Sequence, residues 1–330
     1  MRILKSLAIL RSFAGAAAMA FLSFTTALAE TPVVRAALQL SGTVNWEADT
    51  IRHYGFDKVN GFSLEVTDVA GAPAAQISLV AGEVDMIVSD WLWVARERAA
   101  GRDVVFIPYS RAVGGLMVPA DSAARVLADL KGQRLGVAGS PIDKSWLILR
   151  AYAQKIEGFD LAGATEQVFA APPLVYKAAL DGEVQGALNF WNFGAQMQAA
   201  GMHPLLTVDK AAEALGLDPE TPLVGYVVRG DVLKARPGLG EAIAAASRAA
   251  KEKLASDPAA WERIRPMMKA ANDAEFEALK AGFLAGTPKS GAVNEKAAAR
   301  MLALMSELGG ADLVGDLKEL PDGVFYHPGS

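Results

Sequence analysis

One stretch of the chain occurs twice, a hundred positions apart. Pro73 precedes GEVDMIVSDW (82–91) by nine residues, and Pro173 precedes GEVQGALNFW (182–191) by the same interval. Proline suits the first position of a helix and glycine the position just past its end, so each copy encodes a helix that stops at Gly82 or Gly182. The apolar run that follows, VDMIVS in the first copy, reads as a strand covered on both faces. Helix, glycine and buried strand make part of a βαβ unit, and two copies imply two α/β lobes. Open parallel sheets present their ligand sites at the carboxyl ends of the strands. Ser89-Asp90-Trp91 and Asn189-Phe190-Trp191 are therefore expected at the two rims of a cleft, with ligand choice written where the copies differ.

The surrounding pattern fits. Strands are predicted at 33–40, 63–69, 84–89 and 103–110, with helices between them. The order then restarts with a strand at 114–119, a helix at 120–132 and a strand at 133–139. Next comes a helix at 140–158, with Ser140 as cap, Pro141 first and Asp143 in the first turn. A strand at 167–171, the second repeat and a return strand at 222–230 follow. Everything after Gly230 reads as helical until a short tail ending in GVFY. The expectation is two mostly parallel sheets flanked by helices, with a helical C-terminal wrap.

The first 29 residues have the form of a secretory signal: Arg2, Lys5 and Arg11, an apolar run, then Ala27-Leu28-Ala29 at the cleavage point. Mature protein would begin at Glu30. No later stretch is apolar and long enough to span a bilayer. There is no cysteine in 330 residues, so the chain is neither a disulfide-stapled scaffold nor a lipoprotein. A freely diffusing exported protein is retained by a bacterial periplasm, the expected location. The net charge of −5, without a basic stripe, argues against nucleic acid.

Asp90 can cap the following helix or face a ligand. Trp46, Trp91, Trp93, Tyr109, Trp146, Phe190 and Trp191 divide between core and cleft, and the repeat favours Trp91 and Trp191 for the cleft. Lys144 opposes the dipole of the helix it opens. It can pair with Asp143, add charge to an anion site, or point into solvent. No nucleophile elbow, phosphate loop or dinucleotide fingerprint is present. His53, His203 and His327 are scattered, so no metal or cofactor site is expected. The missing catalytic constellation favours binding over turnover.

DLKGQRLGVAGS, L-x-x-GEVD, GSPIDKSWLILRAY, APPLVYKAALDGEV and LNFWNF resemble periplasmic substrate-binding proteins of ABC importers, of the nitrate, sulfonate, taurine and thiamine-precursor type. The resemblance implies a type II fold with two crossovers, lobe 1 over 30–112 plus 229–330 and lobe 2 over 113–228. It implies cleft contacts from Ser41, Trp46, Ser89, Asp90, Trp91, Ser140, Lys144, Ser145, Asn189 and Trp191, to which Tyr109 and Asp143 are added as candidates. The implied partners are a small organic solute, anionic ones included, and a permease with its ATPase, for a monomeric protein. Relatives often carry an acidic residue where this chain has Gln185, a change expected to affect packing. Relatives that bind small oxyanions cluster cations in the cleft, whereas this chain offers Lys144 and, near the crossover, Arg111. Two alternatives stand beside import: a periplasmic sensor or accessory protein, and an enzyme of the thiamine-pyrimidine-synthesis type, disfavoured by the absence of cysteine.

Overall fold

The computed structural model describes residues 31–289, 293–315 and 317–327. The signal segment 1–29 lies outside them. Strand β1 (Val33–Gln39) is followed by helices α1 (Val44–Tyr54) and α2 (Phe56–Val59), then β2 (Ser63–Val69). The first repeat forms α3 (Ala72–Val80) and β3 (Met86–Asp90), succeeded by α4 (Trp91–Ala99) and β4 (Val104–Ser110). The chain then crosses to β5 (Gly115–Val118), β6 (Arg134–Ala138), α5 (Lys144–Tyr152), α6 (Leu161–Ala164) and β7 (Glu166–Ala170). The second repeat forms α7 (Pro172–Leu180) and β8 (Gly186–Asn189), followed by α8 (Trp191–Ala199), β9 (His203–Thr207) and α9 (Val208–Ala214). The return strand β10 (Val224–Arg229) precedes α10 (Gly230–Ala235), α11 (Leu239–Ser256), α12 (Pro258–Met268), α13 (Asp273–Ala285) and α14 (Glu295–Val314).

Two five-stranded sheets result, ordered β2-β1-β3-β10-β4 and β7-β6-β8-β5-β9. The repeat sits at the same place in each. β3 and β8 are the central strands, each beside a parallel neighbour, β1 or β6, and an antiparallel strand that has crossed over flanks each on its other side. The correspondence reaches individual hydrogen bonds. The Asp85 carboxylate accepts the Arg35 backbone N–H at 3.0 Å, and Gln185 Oε1 accepts that of Arg134 at 3.2 Å. The acid-to-amide difference between the copies thus keeps the acceptor that pins the strand start. Asp85 adds a two-pronged ion pair with Arg35, which the neutral Gln185 does not make.

Alternation of side chains builds the core on both faces of the first sheet. Ala37, Ile87, Phe106 and Val227 pack with α3, α4 and α14. Ala36, Leu38, Met86, Ile107, Tyr226 and Val228 pack with α1 and α11 to α13. The first of these cores continues into the second sheet through Leu116, Leu135, Val137 and Leu188, so α14, which touches both α4 and α5, is shared between the lobes. β4 is a sheet edge, and the C-terminal tail covers it. Phe106 N–H donates to Val324 at 2.8 Å, Tyr326 N–H donates back to Phe106 at 2.8 Å, and Phe325 packs on Phe106 and Trp91.

Three expectations need correction, and one strand is unexpected. β10 pairs with β3 and β4, so residues 224–228 belong to the first sheet and the second lobe cannot extend to 228. An apolar run does not reveal which sheet receives it. Residues 120–132 do not form an α-helix. They hold one 3₁₀ turn at Leu127–Leu130, where the Glu157 carboxylate accepts the N–H groups of Leu127 and Ala128. The helix expected from Ser140 begins at Lys144, because the Asp143 carboxylate, not Ser140, accepts the Ser145 and Trp146 N–H groups. β9, the second sheet's edge, was not foreseen, since HPLLT is too short to show a period.

Candidate functional site

The carboxyl ends of β3 and β6 meet through charge. Asp90, last in β3, accepts the Trp93 N–H at 2.9 Å and so caps α4. Its other oxygen accepts from Lys144 Nζ at 3.0 Å, and Lys144 is the first residue of α5 in the other lobe. Both alternatives for Asp90 therefore resolve into one arrangement: a helix cap that also binds across the cleft. Burial works against the Asp90 anion, but the Lys144 charge and the Trp93 N–H outweigh it and hold the carboxyl below its usual range. Burial also works against the Lys144 cation, and Asp90 with Asp143 overcompensates, raising its pKa. Asp143 goes the other way, raised chiefly by burial. Lys144 at the helix start is thus explained by pairing across the cleft. Ser140 is exposed on the preceding turn and Ser145 is half-buried one residue further on.

The polar residues that differ between the repeats serve the frame. Ser89 is buried and its Oγ accepts from Gln76 Nε2 at 3.2 Å on α3. Asn189 is 1 % exposed; its amide donates to the Pro172 carbonyl at 2.9 Å and accepts the Phe190 N–H at 2.8 Å. Each ties its strand end to the helix before it, and Asn189 has no free face toward a ligand. Arg111 is also spoken for, pairing with Glu220 at 3.2 Å and donating to the Thr287 carbonyl, which joins the outgoing and returning crossovers.

Equivalence in the repeat misplaces one tryptophan. Trp91 is fully buried against Phe325, so it belongs to the core rather than the cleft. Trp191 lies between the lobes, edge-on to Trp46 at 6.0 Å and beside Phe283 at 6.5 Å. Trp93 and Trp146 are buried, and Phe190 is exposed. Tyr109 also leaves the site: its buried ring lies 4.3 Å from Lys251 Nζ in a closed polar cluster. There Lys251, Ser247 Oγ and Tyr226 OH all donate to the Glu47 carboxylate, which is wholly buried. Burial lowers the Lys251 pKa against the pull of Glu47.

A groove of about 510 Å³ opens beside the aromatic contact. The loop after β1 (Leu40, Ser41, Gly42) and α1 (Asn45, Trp46, Asp49, Arg52) form one wall. Pro173 of α7 and Asn192, Phe193 and Gln196 of α8 form the facing wall, and Met267, Met268, Lys269 and Leu279 the floor. Gln196 donates to Glu275 of α13 at 2.6 Å, closing one side. Of the residues singled out in the sequence, the groove takes Ser41 and Trp46. Lys144 and Asp90 make a separate bridge, while Ser89, Trp91, Tyr109 and Asn189 are internal. The sequence reading missed the contribution of α8, α12 and α13. The amphipathic pattern of α12 was legible, but which residues its end presents to a second lobe was not.

No curated protein sequence matches the chain. Solved structures do. The periplasmic aliphatic sulphonate binding protein SsuA from Escherichia coli superposes with a TM-score of 0.68 at 16 % identity, over 88 % of this chain and 96 % of that one. The alkanesulfonate-binding protein SsuA from Xanthomonas axonopodis pv. citri, bound to MOPS, gives 0.66 at 16 % identity, over 90 % and 99 %. A DszB variant in complex with biphenyl-2-sulfinic acid gives 0.57 at 16 % identity, over 89 % and 98 %. These likenesses establish the two-lobe type II periplasmic-binding-protein fold. The profile described as NMT1/THI5 like matches residues 52–260, well over half of the sequence, and the chain belongs to that family.

Proposed function

We propose that this protein is the extracytoplasmic solute-binding component of an ABC importer, capturing a small organic solute between its lobes and delivering it to a permease. The groove carries the reading. It is walled by both lobes, lined by Trp46 and Phe193, and roomy enough for a small ring or short chain. Three contacts span the lobes: Lys144 with Asp90, Trp191 with Trp46, and Gln196 with Glu275. Hinge closure around a solute would form or break them together. The structural neighbours that hold MOPS and biphenyl-2-sulfinic acid support an organic ligand with a ring and an acidic group. The signal-like N-terminus supports an exported protein. Turnover is disfavoured by the sequence, which has no cysteine and three separated histidines. Among the described residues no group of three or more His, Cys, Asp or Glu is arranged to hold a metal.

Thermal-shift screening of the mature protein against a solute library, followed by calorimetry on the hits, tests the proposal. We expect saturable one-to-one binding of at least one solute class, weakened by Trp46→Ala. Absence of saturable binding across the library refutes it.

A further inference from the structure

We infer that Lys269 and Arg52 form an anion-binding end of the groove, so that the captured solute is an organic acid with an apolar body. This rests on the groove being the solute site. Lys269 caps the C-terminus of α12 with φ 53° and ψ 31°. It is the one non-glycine residue at positive φ among the described residues, where thirteen other left-handed positions are all glycine. Left-handed geometry costs a side-chain-bearing residue about 1 kcal/mol that glycine avoids. Lys269 thus departs from a rule that the other described left-handed positions follow. Such departures are expected where a side chain has work to do.

Among the described residues the Lys269 side chain has no hydrogen-bond or ion-pair partner, and it lines the groove. No hydrogen bond or ion pair to a described residue therefore accounts for it. Arg52 lines the same groove and, among the described residues, has no hydrogen-bond or ion-pair partner for its side chain. Asp49, the carboxylate one turn before Arg52 on α1, is taken by Arg263. Lys144, for which an anion site was one of three alternatives, pairs with Asp90. The two open cations of the groove are therefore Arg52 and Lys269, both exposed; they outnumber its one open carboxylate, Asp68, and share the groove with Trp46, Phe193, Met268 and Leu279. A carboxylate or sulfonate satisfies the cations while its carbon body covers the apolar lining.

The test uses matched pairs: benzenesulfonate against benzenesulfonamide, hexanoate against hexanamide, and MOPS as a further acid. Each is titrated by calorimetry into wild type, Lys269→Gly and Arg52→Gln. The expected result is that wild type prefers the acids, and that each variant loses about tenfold or more in acid affinity with little change for the amides. The thermal midpoint of Lys269→Gly should equal or exceed that of wild type, because glycine suits the left-handed cap. Equal affinity of wild type for acid and amide overturns the inference. So do unchanged acid affinities in both variants, or a lowered midpoint for Lys269→Gly, which would assign the side chain to the fold. Binding of neutral or cationic library solutes without any acid overturns the inference and leaves solute capture standing. Failure of every solute overturns both.

Discussion

Replacing Asp90 with Asn removes one charge and little else. Asn caps helices as well as Asp does, so the bond from the Trp93 N–H survives and the loss isolates the bridge to Lys144. The two side chains are 16 % and 28 % exposed. That places the pair between exposed ion pairs, worth up to about 1 kcal/mol, and buried ones, whose rupture costs about 3–5 kcal/mol. About 2 kcal/mol follows. For a folded body of about 300 residues, an unfolding entropy of about 2 cal/mol/K per residue converts this to a fall of about 3 °C in Tm. The pH dependence is specific. The Asp90 pKa is lowered by folding, so its contribution is present above the unfolded value near 4 and is lost as pH falls through the lower folded value. The Lys144 pKa is raised, so its contribution is present below about 10 and is lost only as pH rises through the folded value. The gap between wild type and Asp90→Asn should therefore be flat from about pH 5 to pH 9 and close in acid. Calorimetric melts across pH measure it. Because the pair joins two lobes, small-angle scattering of Asp90→Asn should also show a larger radius of gyration. A gap below about 0.5 kcal/mol at pH 7, or one that persists unchanged into strong acid, refutes the bridge as a stabilising contact.

Other outcomes follow from the same coordinates. Asp143→Asn keeps an N-cap while removing an anion that burial disfavours, so it should raise stability at neutral pH, with the gain vanishing as pH falls below the unfolded value near 4; melts at pH 7 and pH 3 check this. Lys251→Met strands the buried Glu47 carboxylate and should cost about 3–5 kcal/mol in urea unfolding, whereas Glu47→Leu combined with Lys251→Met should recover most of that loss. Gly282→Ala places a methyl 2.8 Å from the Trp191 ring, so it should cost about 1–3 kcal/mol and alter the near-UV circular dichroism of the Trp191–Trp46 contact. Phe325→Ala removes a ring packed on Phe106 and Trp91 and should destabilise by about 3–5 kcal/mol, read from the urea midpoint.

The frame was legible because its signals are local. Pro73 and Pro173, Gly82 and Gly182, and the apolar runs after them announce helix, stop and strand without knowledge of the partner strand. Both lobes and the class of fold follow from two such units. The errors arise where a residue's role depends on what faces it across space. Val224–Arg229 is an apolar run that suits either sheet, and only pairing with β3 and β4 decides. Asp143 and Ser140 are both caps the sequence allows, and in the structure Asp143 takes the role. Asp143 was the visible partner for Lys144, and the actual one was not legible because Asp90 is 54 positions away and in the other lobe.

The same distinction separates the repeat from the site. Residues that the two copies share, or exchange conservatively, hold the strands in register: Asp85 and Gln185 pin the neighbouring strand start, and Ser89 and Asn189 fasten the preceding helix. A duplicated unit must fold equivalently in two lobes, so its matched positions are occupied by what both folds require. Trp91 and Trp191 show the limit of equivalence, since the C-terminal tail buries the first and the interlobe contact with Trp46 claims the second. Most of the groove is made by residues outside the repeated stretches, namely the β1–α1 segment, Asn192, Phe193 and Gln196 of α8, the end of α12 and Leu279 in the middle of α13. Specificity can diverge there without disturbing either sheet. Substitutions at 52, 193 and 269 should therefore change which solute binds at small cost in stability, whereas substitutions at 85, 89 and 189 should change stability first.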